Sequence, residues 1–452
     1  MPEHIHFIAI GGSIMHQLAI ALSRKGNVIT GSDDEIFEPA LSNLRAINLL
    51  PSTFGWKPEN ITSSIDSVIL GMHARMDNPE LIRARELGFK IYSFPEYVYK
   101  ASIDKLRVAI GGSHGKTSTT AMVMHVLKLS GYPFDFLVGA KLPGFDYNVQ
   151  ITDAPVIICE ADEYPASAIE KQPKFHFLYP NIAVLTGIAW DHINMFPTFD
   201  FYLKQFEIFL EKIVTGGVLI YNDSDSILKK LVEDNNRKDI TYHPYSLPTF
   251  FIEDGKTEVL INGYKVQLQV FGNHNLLNLN AAWLVCRELN IKAEDFIRHI
   301  ASFQGASKRL ELLYSNESYN VYKDFAHAPS KVKASINAVS HQFPGRKLIA
   351  LLELHTYSSL SEQFLEEYKN VMDMADQQII FYSAHALEIK RLPQLSAEKI
   401  KSGFGSGQIQ VYTDKEALRN LLTNQSYKDT NLLIMSSGDF DGLDFTVFHP
   451  WK

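Results

Sequence analysis

Short apolar runs recur along the chain, and each is followed by a polar or glycine-bearing stretch. His4 to Ile10, Val28 to Thr30, Ser67 to Leu70, Val108 to Ile110, Val156 to Cys159, Ile182 to Thr186 and Gly217 to Asn222 read as strands. So do Asn320 to Tyr322, Leu348 to Leu352 and Leu432 to Met435. Helical spacing appears between them. Ile14, Leu18 and Leu22 share one face, Thr119 to Leu129 continues from a glycine-rich turn, and Phe201 to Ile213 is amphipathic. Lys331 to His341 reads as a helix with Ser330 as its N-cap. Residues 240–271 read as short strands with a hairpin at Asn262-Gly263. Strands that alternate with helices predict an α/β chain with parallel sheets, and residues near Ser102 to Lys105 read as a linker.

Length supports about three such domains. Hydrophobic residues make up 46% of the 452, ample for real cores, and the net charge of −8 argues against a nucleic-acid partner. Cys159 and Cys286 are too few for a disulfide framework and fit a reducing cytoplasm. The N-terminal residues lack the basic region of a signal peptide, and no apolar run approaches the roughly 18 residues of a membrane span. The expected location is therefore cytoplasmic.

The strongest chemistry lies in Gly112, Ser113, His114, Gly115, Lys116, Thr117 and Ser118, between a strand and a helix. Glycines let backbone N–H groups close around phosphate oxygens, and the helix start adds partial positive charge. Lys116 is placed to reach the β- and γ-phosphates of a triphosphate, and the Thr117 hydroxyl to ligate Mg²⁺. The usual longer loop would need Gly at 110, where this chain has Ile, so the match is to a shorter loop. A generic glycine turn is the competing reading.

Glu160 ends the run Val156 to Cys159, where α/β sheets bind ligands, and reads as a second magnesium ligand. Asp162 and Glu163 read either as further site groups or as loop charges. His192 follows another strand, but magnesium sites seldom use His. Asn275 and Asn278 share a helix face and suit an adenine edge, with helix capping as the alternative for Asn273 or Asn275. Near the N-terminus, Gly11, Gly12 and Ser13 follow the first strand, and Asp33 follows about 20 residues later, as in nucleotide-binding folds. His73 and Arg75 lie in a polar loop and read either as ligand contacts or as solvated side chains. In the last third, Lys323-Asp324-Phe-Ala-His327, Glu353-Leu-His355-Thr-Tyr357 and Ser436-Ser-Gly-Asp439 all follow strands. Ordinary loop polarity competes for His355, Tyr357 and Asp439.

Taken together, Gly112 to Thr117, Glu160-Ala-Asp-Glu163, Asp191-His192, Gly272-x-His-Asn-x-x-Asn278, Arg309 and Asp324-x-x-His327-x-Pro329 resemble the Mur ligase family of peptidoglycan enzymes. The resemblance covers essentially the whole chain. It implies a Rossmann-like N-terminal domain for UDP-sugar (1–106), a central P-loop ATPase-like domain (107–306) and a Rossmann-like C-terminal domain (307–452). It also implies ATP and Mg²⁺ as cofactors, UDP-N-acetylmuramate and a short peptide or amino acid as partners, and a monomer or weak dimer. By the same resemblance Lys116 holds phosphates, Thr117, Glu160 and His192 hold magnesium, and Asn275 and Asn278 face adenine. Arg309, Asp324 and His327 surround ribose and γ-phosphate, and Gly11, Gly12, Ser13, Asp33 and His73 hold the UDP-sugar. The catalytic set so implied is Lys116, Glu160, His192, Arg309 and His327. Some members carry a carbamylated lysine where this chain has Glu207, so no such modification is expected.

Among branches that start from UDP-N-acetylmuramate, Glu170-Lys-Gln-Pro-Lys-Phe175, Phe303 to Arg309 and Ser436 to Gly442 look like the branch that attaches a recycled tripeptide, L-alanyl-γ-D-glutamyl-meso-diaminopimelate. An acyl phosphate is the implied intermediate. The branch that attaches L-alanine is the alternative. Rivals of other classes are a P-loop transport or switch ATPase and a nicotinamide-dependent dehydrogenase.

Overall fold

The computed structural model describes residues 2–167, 169–190, 195–306 and 309–445. Its contacts divide the chain into two compact units. One comprises residues 1–188, 197–246 and 281–291, and the other 189–196, 247–280 and 292–452.

The first unit holds two sheets. The N-terminal sheet has the order Val28–Ser32, His4–Ile8, Ser67–Leu70, Ile91–Ser93, all parallel. The chain winds to both sides of His4–Ile8, so the loop after that strand lies at the point where strand order reverses. Ile5, Phe7 and Ile8 are fully buried, as are Leu18 and Leu22 of the helix Met15–Arg24.

The second sheet has the order Thr241–Tyr245, Val218–Asn222, Ile182–Leu185, Leu106–Gly111, Val156–Glu160, Asp135–Leu137, Val149–Gln150. Every pairing is parallel except the last. Val108 to Ile110, Val156 to Cys159 and Ile182 to Leu185 are buried without alternation because both faces of the sheet are covered. Leu106–Gly111 lies between Ile182–Leu185 and Val156–Glu160, which brings three strand ends to one edge.

In the second unit, Phe250–Glu253, Lys256–Ile261 and Tyr264–Leu268 form an antiparallel sheet. Asn262-Gly263 is a turn as expected, with both residues at positive φ. Asp254-Gly255 makes a second such turn that the sequence reading did not single out. Residues 247–280 belong to the second unit. Thr257 donates to Gln342 at 2.8 Å, and Phe271 packs edge-on against Tyr322 and Phe343.

The last sheet has the order Glu311–Ser315, Tyr319–Asp324, Thr430–Met435, Lys347–Glu353, Gln377–Phe381, Gln410–Tyr412, with an antiparallel edge at Glu311–Ser315. Leu351, Phe381 and Ile434 face one core, while Leu352, Ile380 and Met435 face the other. Three helix starts differ from expectation, the first being Lys116–Leu129, which begins three residues before Thr119. Pro329–Gln342 is capped at Ala328, with Pro329 at the first helical position, so Ser330 is inside the helix rather than its N-cap. Proline fits there because its missing N–H has no helical partner to lose. Phe199–Glu211 starts two residues early because the Thr198 hydroxyl accepts the Phe201 N–H at 3.2 Å.

Candidate functional site

The loop from Gly112 to Gly115 joins the central strand to the helix Lys116–Leu129. Gly112 adopts φ 123°, and a β-carbon there would strike the Thr186 hydroxyl and backbone. Thr186 in turn donates to the carbonyls of Gly111 (3.1 Å) and His114. The Ser113 hydroxyl meets the buried Tyr202 hydroxyl at 2.8 Å, and Ser118 is buried in the first helical turn. Gly115 caps the helix in the left-handed region without a side-chain cap, and no acidic residue occupies the first turn. An uncapped helix start of this kind suits an anion.

Lys116 Nζ donates to the Gly112 carbonyl and to Glu163 Oε2, each at 2.7 Å. Burial alone would lower the Lys116 pKa, but Glu163, Asp162 and Glu160 outweigh it and raise it. The Thr117 hydroxyl donates to Glu160 Oε1 at 2.7 Å, and the Gly139 N–H donates to Glu160 Oε2 at 3.0 Å. Glu160 thus stands beside Thr117 as the sequence suggested. Asp162 and Glu163 are not simple loop charges. Asp162 pairs with Lys174 at 2.8 Å, and Glu163 pairs with Lys116. His192 and its neighbour Asp191 lie outside the described residues.

Gly12, Ser13 and His73 line a cleft of about 320 Å³ together with Leu137, Gly139, Glu160 and Asp162. Strand ends of both sheets of the first unit therefore open on one space. Asp33 does not fit its expected role as a sugar-nucleotide contact. It is 1% exposed, and its carboxylate accepts the Gly11 N–H at 2.7 Å. Gly11 itself is held by that bond. Burial pushes the Asp33 carboxyl up to about 6, against the Gly11 bond, and neighbouring Asp34 adds to the rise.

In the second unit the Asn275 amide donates to the Phe271 carbonyl at 2.9 Å, and Asn278 is buried on the same helix. Asn275 lies inside the helix Asn273–Glu288 and donates to a carbonyl rather than accepting an N–H, so it is not the helix N-cap. Asp324 is buried, accepting from the Ser335 hydroxyl and, at 3.3 Å, from the Leu310 N–H. Arg309 lies 5.1 Å over the Phe325 ring. His327 Nδ1 is 3.0 Å from the Phe325 carbonyl, and Tyr368 donates to the His327 carbonyl. His274 was not singled out as a site residue, yet it senses both Asp324 and Arg309. Burial lowers its pKa against the pull of Asp324. Farther along, His355 Nδ1 lies 3.6 Å from the buried Glu353, which also accepts from Ser436 and from the Phe440 N–H. Tyr357 is exposed, and the Asp439 carbonyl accepts within its own turn. Both cysteines are free and buried, and burial pushes the Cys159 thiol up to about 12.

A phosphate loop, a helix-start lysine and threonine, and a strand-end carboxylate beside a second ligand cleft define a nucleotide-using α/β enzyme that works on a second substrate. Family models match residues 4–104 (Mur ligase family, catalytic domain), 110–286 (Mur ligase middle domain) and 308–438 (Mur ligase, glutamate ligase domain). The UDP-N-acetylmuramate–L-alanine ligase of Sulfurihydrogenibium sp. (strain YO3AOP1) is 31% identical, over 98% of this chain and 96% of that one. Its counterpart from Persephonella marina is 30% identical, over 97% and 94%. Two solved structures share the fold. The UDP-N-acetylmuramate-alanine ligase of Thermotoga maritima superposes with TM-score 0.66 at 21% identity, over 97% of this chain and 96% of that one. A murein peptide ligase from Psychrobacter arcticus 273-4 does so with TM-score 0.62 at 20% identity, over 97% of each.

The chain belongs to the Mur ligase family. It has that family's three-domain α/β fold and is an ATP-dependent carbon–nitrogen ligase of peptidoglycan synthesis. Among the described residues, no helix is long and apolar enough to cross a membrane.

Proposed function

We propose that the chain joins the lactyl carboxylate of UDP-N-acetylmuramate to the amine of L-alanine at the expense of ATP. One observation carries the reading. Glu160 both lines the cleft and accepts from Thr117 of the phosphate loop, so a bound acid and a nucleotide would meet at the same carboxylate.

The acid's oxygen attacks the γ-phosphorus, the bond to the β-phosphate oxygen breaks, and ADP leaves. The amine then attacks the carbonyl carbon of the acyl phosphate. Inorganic phosphate leaves and the nitrogen gives up a proton. Lys116 and the helix start neutralise charge spreading over the transferred oxygens, and positioning with electrostatics supplies most of the rate. Thr117 and Glu160 are suited to hold Mg²⁺, since a hydroxyl and a carboxylate already converge at 2.7 Å. When bound, the ion would neutralise phosphate charge. In this reading Asn278, Arg309 and Asp324 serve adenine, ribose and γ-phosphate, and His327 orients the amine or takes its proton. The domain limits 1–106, 107–306 and 307–452 belong to the same proposal.

The names of the similar ligases support L-alanine over the tripeptide. A second reading keeps the tripeptide L-alanyl-γ-D-glutamyl-meso-diaminopimelate as the amine. It is favoured by Glu170 to Phe175 and by the Ser436 to Gly442 loop. Phosphate release with UDP-N-acetylmuramate, ATP and either amine separates the two. Faster turnover with L-alanine supports the first reading, and turnover with the tripeptide alone replaces it by the second.

A further inference from the structure

The cleft beside the phosphate loop must accept an anionic acid, yet its own lining is rich in negative charge. Glu160 and Asp162 both line it, and Lys174 is the lysine or arginine among its described lining residues. Glu160 is occupied by Thr117 and the Gly139 N–H. Lys174 is held where it is by its own backbone. The Lys174 N–H donates to the Tyr164 carbonyl at 2.8 Å, the Phe175 N–H donates to the Asp162 carbonyl at 3.1 Å, and Pro165 bridges Pro173. The ammonium lies 2.8 Å from Asp162 Oδ2, with both side chains partly open to the cleft.

An acid that pairs with Lys174 is therefore held in the space that Glu160 also lines, beside the phosphate loop. That is what an acid waiting to attack a γ-phosphorus requires.

We propose that Lys174 binds the carboxylate of the acceptor acid and orients it toward the transferring phosphate, with Asp162 holding the ammonium until the acid arrives. The role rests on the reading of UDP-N-acetylmuramate as acceptor. It makes Lys174 the residue that separates an acid-bearing sugar nucleotide from the same nucleotide without the acid. A charge-assisted contact of this kind is worth about tenfold in affinity or more.

The test compares equilibrium binding of UDP-N-acetylmuramate and UDP-N-acetylglucosamine to the full-length protein. The second ligand lacks the lactyl carboxylate. Wild type should prefer the acid. Lys174→Met should lose about tenfold or more of that preference while its affinity for UDP-N-acetylglucosamine stays constant, and Lys174→Arg should retain part of it. Asp162→Asn, which frees the ammonium, should strengthen the preference. A purely structural ion pair would weaken both ligands together and leave their ratio unmoved. An unchanged ratio in a folded Lys174→Met protein overturns the role while leaving the acceptor reading intact. Equal binding of the two ligands by wild type overturns the acceptor reading, and the role falls with it. Should Lys174→Met not fold, the same ratio is read from Lys174→Gln and Asp162→Asn.

Discussion

The Lys116 ammonium lies 2.7 Å from a carboxylate oxygen of Glu163, a residue only 1% exposed. An arriving triphosphate has to draw that lysine away from its buried partner. Glu163→Gln removes the competitor, so ATP should bind about three- to tenfold tighter, as read by direct nucleotide titration; equal or weaker affinity would count against this. Lys116→Met should be both inactive and less stable, by about 3–5 kcal/mol, because it strands the buried carboxylate. The double variant Lys116→Met/Glu163→Gln should regain most of that stability in chemical denaturation, yet no activity.

Thr117 and Glu160 share a short hydrogen bond that a divalent ion would replace with two oxygen–metal contacts. Thr117→Val should raise the Mg²⁺ concentration needed for half-maximal ATP consumption by about 10–100-fold. The effect should appear in a magnesium titration at saturating ATP. An unaltered magnesium requirement would remove Thr117 from the metal site.

Asp33 supplies a pH signature. Its folded pKa of about 6 lies above the ordinary 3.8, so the folded chain holds more protons between those values. Stability from this group is complete below about pH 4 and is lost as pH rises through 6. Asp33→Asn keeps an oxygen for the Gly11 N–H but cannot ionise. Its unfolding midpoint should therefore decline less than that of wild type between pH 4 and 7, as followed by thermal denaturation. Parallel pH profiles for the two proteins would refute the buried titration.

Gly272 sits at φ 87°, and a β-carbon there would overlap that of Ala338. Gly272→Ala combines a strained backbone with a clash and should cost about 2 kcal/mol or more in denaturant unfolding. Adding Ala338→Gly should recover the part due to the clash. Wild-type stability in the single variant would show that the two segments do not pack as described.

The strands were legible because Val156 to Cys159, Ile182 to Leu185 and Leu432 to Met435 are continuous apolar runs buried on both faces. Asn262-Gly263 was legible because its two residues favour positive φ. Asp254-Gly255 has the same chemistry, but the strand before it, Phe250–Glu253, is largely exposed and breaks the expected alternation. The loop from Gly112 to Ser118 and its neighbour Glu160 could be read locally, since one strand–turn–helix unit supplies the first and a strand end the second. Pairings across the fold could not. Nothing in the order of residues tells which lysine Asp162 or Glu163 will meet, because that depends on how two strand ends and the 174–177 turn are brought together. Asp33 misled for a related reason. Its distance from Gly11 fits a ligand-binding acid, and only the tertiary structure shows the carboxylate turned inward to hold the loop.

The most direct test follows oxygen. UDP-N-acetylmuramate labelled with ¹⁸O in its lactyl carboxylate is incubated with the protein, ATP, Mg²⁺ and L-alanine or the tripeptide, and the phosphate released is weighed by mass spectrometry. Activation of the acid by the γ-phosphoryl group predicts one ¹⁸O in each phosphate formed alongside an amide. Phosphate that carries only solvent and nucleotide oxygen would mean that ATP is cleaved without ever being joined to the acid.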